Sequence, residues 1–111
     1  MAKPGYGRGM TVKLTVVYGT PDDKDGFDKH YADVHMPIVE RWPGVERTEV
    51  AKVSGGPMGS ESPYHLITEI YFADEDALNA ALGSDAGREA GKDFMGIAPP
   101  GSFMTVSTVT D

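Results

Sequence analysis

The chain has 111 residues, 40% hydrophobic and 24% charged, with no cysteine and a formal net charge of −7. That length predicts one core, no apolar run reaches the ~20 residues a bilayer-spanning helix needs, and disulfides, thiolate metal sites and cysteine nucleophiles are excluded together. Residues 1–52 hold eight basic and eight acidic side chains, whereas 53–111 hold only Arg88 and Lys92 against nine acids, so repulsion from phosphates argues against nucleic acid and anionic membrane surfaces as partners. The amino terminus lacks the apolar core of a secretory signal, which makes the cytoplasm the expected location.

The glycine-rich opening MAKPGYGRGM has no periodicity, which predicts a flexible leader over 1–9, with Tyr6 its one candidate contact, and a single domain over 10–111. From Met10 to Tyr18 the apolar Val12, Leu14, Val16 and Tyr18 alternate with Thr11, Lys13 and Thr15, the period of a half-buried strand. GTPDDKDG supplies turn residues, and its aspartates favour the positive end of a helix beginning near Asp23. After WPG, GVERTEVAKVSG reads as a second strand, GGPMGSESP as a loop too long for a tight hairpin, and PYHLITEIYF as a third strand. On that strand Tyr64, Leu66, Ile70 and Phe72 fall on one side, and Ile67 and Tyr71 on the other beside His65 and Glu69.

DEDALNAAL places Ala77, Leu78, Ala81 and Leu82 at helical spacing; Gly83 then interrupts, and Ser84 can cap a second piece containing Ala86 and Ala90. KDFMGIAPPG is not expected to continue that helix, because adjacent prolines oppose it, and GSFMTVSTVT closes the chain as a β-branched strand. The order β-α-β-β-α-β predicts an α+β, ferredoxin-like fold with a four-stranded antiparallel sheet under two helices. Two partly apolar sheet faces call for a second cover, most economically another copy of the chain.

The first helical segment, FDKHYADVHMPIVERWPG, carries the chemistry. Phe27, Tyr31 and His35 recur every four residues and form one ridge, with Val34 and Ile38 beside it, so His35 faces inward. His30 lies about 100° away among Asp28, Lys29 and Asp33 and reads as a surface residue. Pro37 cannot donate to the carbonyl of Asp33 and biases Met36 out of helical angles, which predicts a kink or break directly after His35. An inward histidine beside such a break is either a packed, hydrogen-bonded core residue or a group that reaches a cavity for chemistry. Phe27 and Tyr31 suit a core as well as a pocket. His65 and Glu69 could pair on one strand face, in solvent or at an interface. Three scattered histidines, with HYADVH off the i,i+4 spacing, argue against a metal site, and no phosphate loop or nucleophile elbow is present.

The pattern F-x-x-x-Y-x-x-x-H-x-P followed by a PG turn, here Phe27, Tyr31, His35, Pro37, Pro43 and Gly44, resembles the first half of EthD domains, and SDAGREAGKDF before a closing strand extends the similarity over about residues 10–110. The resemblance implies a dimeric α+β barrel, in which the sheets of two ferredoxin-like subunits pack together and each subunit keeps a ligand pocket between sheet and helices. Relatives in the wider superfamily include lactone isomerases, polyketide cyclases and cofactor-independent monooxygenases.

Two functions of different class follow. In the first, the chain is an enzyme on a small, largely apolar, oxygen-bearing substrate, with His35 moving a proton and Tyr31 orienting it, and with Phe27, Leu14, Val16, Leu66 and Ile38 as the apolar wall. No cofactor motif is present, so acid–base chemistry is expected over hydride transfer, with isomerase, cyclase or oxygenase outcomes. In the second, a non-catalytic homodimer holds a hydrophobic metabolite for an oxidation pathway, or handles haem.

Overall fold

The computed structural model describes residues 10–110; the leader expected over 1–9, with Tyr6, lies outside the described residues. β1 (Val12–Gly19), β2 (Val45–Lys52), β3 (Tyr64–Phe72) and β4 (Phe103–Thr108) form one antiparallel sheet in the order β2-β3-β1-β4. The register pairs Leu14 with Ile70 and Val106, and Val16 with Thr68 and Met104. The period-two alternation of β1 therefore sends Val12, Leu14, Val16 and Tyr18 to one face, where all are buried under the helices. This is the α+β, ferredoxin-like architecture that the element order implies.

Asp23 caps the first helical segment by accepting from the Gly26 amide at 2.9 Å. The segment runs as α1 (Lys24–His30), a π-turn (Tyr31–His35) and α2 (Met36–Val39). Of the kink or break expected after His35, no break occurs and Met36 keeps helical angles (φ −62°, ψ −38°). Pro37 sits in the first turn of α2, where its missing donor matters least, and the helix absorbs the irregularity one turn earlier, with the Met36 amide donating to the Tyr31 carbonyl. Phe27, Tyr31 and His35 still form the inward ridge, with ring centroids 5.9 and 5.3 Å apart.

α3 (Glu75–Gly83) and α4 (Asp85–Ile97) join at Ser84, whose side chain accepts from the Gly87 amide. α4 corrects a second expectation: it continues through Lys92, Asp93 and Phe94 and stops at Ile97, just ahead of Pro99 and Pro100. Proline disfavours helical angles only at the residue before it, so the four residues after Asp93 remain free to coil.

The third correction lies at the start of β3. The β1–β3 register shifts so that Tyr18 faces Leu66 while Gly19 faces Tyr64, leaving His65 as an extra residue. That bulge reverses the alternation. His65 turns to the helix side, 2.7 Å from Asp28, and Tyr64 packs against Phe103 at 5.8 Å. The His65–Glu69 pair does not form; Glu69 binds Lys13 instead. Among the described residues no helix is long and apolar enough to cross a membrane.

Candidate functional site

Between the helix-covered face of the sheet and α4 lies a narrow cavity of about 60 Å³, open to solvent at its mouth. The alternation of β1 and β3 supplies its floor through Leu14, Val16, Tyr18 and Thr68. The inward ridge supplies Tyr31 and His35, and the small residues Ala90 and Gly91 on α4 leave the space unfilled, while Gly87 at its edge makes room for the backbone of α3. Phe94, Trp42 and Met104 add apolar wall, and among the described residues no lysine, arginine, aspartate or glutamate lines it.

Of the residues the sequence nominates, His35, Tyr31, Leu14 and Val16 meet at this cavity. Phe27, Leu66 and Ile38 do not line it. All three are buried in the core, and Phe27 packs its ring edge-on against Tyr18 behind the site. Tyr18 and Thr68 were legible in principle, since each continues a period-two run already assigned to that face. Asp93 carries no such signal: it is 58 positions from its partner His35 in a segment expected to be non-helical.

His35 is 6% exposed. Its Nδ1 lies 2.8 Å from Oδ2 of Asp93, while His30 Nε2 lies 2.8 Å from Oδ1 of the same carboxylate. His30 thus does not stand alone on the surface, as expected from its polar neighbours, although its side chain remains 37% exposed. Burial works against the charge on Asp93, but the hydrogen bonds from His30 and His35 outweigh it and hold the carboxyl below its usual range. An ionised carboxylate only accepts, so both ring nitrogens facing it carry protons. In the neutral imidazole Nε2 of His35 is then the nitrogen without a proton, the ring's bond to Asp93 being made through Nδ1.

The phenols differ in character. Burial pushes the Tyr31 hydroxyl up despite its hydrogen bond to Thr68, and burial together with the neighbouring Tyr31 pushes Tyr18 up further. Both stay neutral over the working pH range, as donors and orienting groups rather than bases. Among the described residues no group of three or more His, Asp or Glu side chains is arranged to hold a metal ion.

A second, shallower and more polar cleft is bounded by Thr20, Lys24, Ser60, Glu61 and His65. Gly56 and Ser60 bond across the loop that forms its wall, and Met58 at its tip is fully exposed. It contains none of the residues of the apolar cavity.

Comparison with known proteins gives the family and the fold. The EthD domain matches residues 21–98. An uncharacterized 11.0 kDa protein of the thcB–thcC intergenic region of Rhodococcus erythropolis is 32% identical over 92 residues, which is 83% of this chain and 88% of that protein. The crystal structure of an ethyl tert-butyl ether degradation (EthD) family protein from Bacillus halodurans is 35% identical, with a TM-score of 0.86 over 91% of this chain and all of that one. SnoaB, a cofactor-independent oxygenase from Streptomyces nogalater, shares the fold at 14% identity, with a TM-score of 0.69 over 92% of this chain and 95% of its own.

Proposed function

The chain belongs to the EthD family, and from that premise we propose that it is an enzyme that moves a proton on a small, uncharged, largely apolar molecule bound between sheet and helices. One observation carries the reading. A buried histidine, held through Nδ1 by a carboxylate outside the cavity, borders a largely apolar space, and in the neutral ring that bond leaves Nε2 as the nitrogen able to take a proton. Imidazole is the side chain suited to taking and returning a proton near neutral pH, and Nε2 of His35 is placed to act as the general base and then the general acid. Tyr31, stacked on His35 and hydrogen-bonded to Thr68, is a neutral donor for a substrate carbonyl or hydroxyl.

The lining supports the substrate class. Without a cation to meet it, a carboxylate or phosphate would lose its hydration uncompensated, whereas a lactone, quinone or phenolic ring meets Leu14, Val16, Ile70 and Phe94 and keeps one oxygen for Tyr31. Removal of a proton from a carbon next to a carbonyl, or from a phenolic hydroxyl, is the step common to isomerisation, cyclisation and oxidation of the resulting anion by dioxygen, which takes up the electrons.

The catalytic unit is proposed to be a homodimer. The sheet face away from the helices carries the half-buried Ile67 and Tyr64 and the exposed Phe103 around a buried Val17, and the layer of helices on the other side cannot cover them.

Mass spectrometry of the denatured protein should identify a retained neutral, oxygen-bearing molecule. With that molecule or its product as substrate, His35→Gln should lose about two to four orders of magnitude in turnover while still binding it. Turnover at the wild-type rate in a folded His35→Gln variant would remove His35 from the chemistry. Saturable binding without turnover in the unaltered protein would make the cavity a carrier site, and a Soret band on titration with haem would make it a haem site.

A further inference from the structure

In a regular α-helix residues five apart point about 140° away from each other, so His30 and His35 could not serve one side chain on a neighbouring element. The π-turn removes that obstacle, because i→i+5 bonding widens the turn and brings residues five apart toward the same side of the helix. Both imidazoles thereby converge on Asp93 of α4, each at 2.8 Å and each on its own oxygen. Pro37, which cannot donate to Asp33, lies directly after the turn. The irregular helix and the shared carboxylate are two ends of one device.

We propose that Asp93 is a positioning residue for His35 and that His30 is its counter-anchor. A carboxylate held through one oxygen can still swing about its side-chain bond. Gripped through both, it presents Oδ2 in one place and keeps the proton of His35 on Nδ1, which leaves the bare Nε2 for the cavity. His30 acts at a distance: its ring does not line the cavity, and its exposed edge faces solvent. The assignment rests on the acid–base reading of His35 and adds to it the two residues that set the tautomer.

Long-range nitrogen–proton NMR spectra of the full chain labelled on histidine nitrogens, recorded without ligand above pH 7, test this directly. In the unaltered protein His35 should carry its proton on Nδ1 alone. Asp93→Ala should convert it to the Nε2–H form or a mixture. His30→Ala, a change at the exposed end that leaves the fold intact, should keep the tautomer but make the Nδ1 proton exchange with water about tenfold faster, the effect of losing one hydrogen bond's worth of restraint. An Nε2–H tautomer in the unaltered protein, an unchanged tautomer in Asp93→Ala, or an unchanged exchange rate in His30→Ala would each overturn the proposal. Should Asp93→Ala fail to fold, the unaltered protein and His30→Ala decide the matter between them. These spectra need no substrate, so their failure is separate from wild-type turnover in His35→Gln, which bears on the acid–base reading alone.

Discussion

Thr68 occupies a place in β3 that the alternation assigns to an aliphatic side chain, and it is 2% exposed. Its hydroxyl is there for Tyr31, and the two bind each other at the cavity floor. Thr68→Val keeps the shape and removes the partner, so it should cost about 1 kcal/mol in urea unfolding. A second residue-scale consequence concerns acid. The Asp93 carboxyl is lowered on folding, opposed by burial and driven by the two histidines; that of Asp28 is lowered chiefly by its bond to Lys52, with His65 adding to it. A carboxyl lowered on folding stabilises the protein above its unfolded value of about 4 and loses that contribution as the pH falls through the folded value. Asp93→Asn should therefore be less stable than the unaltered protein at pH 7. The gap should narrow below about pH 4, as read from unfolding curves at the two pH values.

At the scale of elements, α4 builds the cavity with what it lacks. A β-carbon added to Gly91 would meet nothing, whereas one added to Gly87 would run into the backbone carbonyls of Ala81 and Leu82 at the end of α3. Gly91→Ala should then stabilise the protein by about 0.5–1 kcal/mol through helix propensity, and Gly87→Ala should destabilise it, both checked by thermal unfolding. Because Gly91 borders the cavity, Gly91→Leu should fill the space and abolish binding of the retained molecule without loss of fold. The first helical segment makes a different use of irregularity. Its π-turn carries Tyr31 and His35 inward on one ridge and brings His30 round to the same carboxylate.

The described residues measure 45 × 39 × 19 Å, the last being the thickness of one sheet and one layer of helices. Its uncovered sheet face is divided. Tyr64, Phe103, Val17 and Ile67 lie toward one end, and at the other Lys13 pairs with Glu69, Arg47 stacks 3.8 Å over Tyr71, and the Tyr71 hydroxyl donates to Glu49. The proposed homodimer would bury the first group by self-complementary pairing and keep the second at its rim. Light scattering at tens of micromolar should give twice the monomer mass, and Ile67→Glu, which places a charge in the apolar part, should return it to the monomer with the helix-side core intact.

By itself, the sequence determined the order of the elements, the face each β1 side chain takes and the inward ridge of Phe27, Tyr31 and His35, because period two and period 3.6 are local rules that neighbouring residues satisfy among themselves. The EthD likeness was legible for the same reason, its motif lying within one helical segment. Three things were decided only by the tertiary structure. Pro37 allowed either a break or a re-registered ladder, and packing of the ridge against β1 and α4 selected the π-turn. Strand alternation put His65 on the open face until the pairing of Gly19 with Tyr64 forced a bulge and turned it toward Asp28. Asp93 became part of the site only when α4 ran on past it and crossed the first helical segment, since contact between residues 58 and 63 positions apart follows from how elements dock, which no local period encodes.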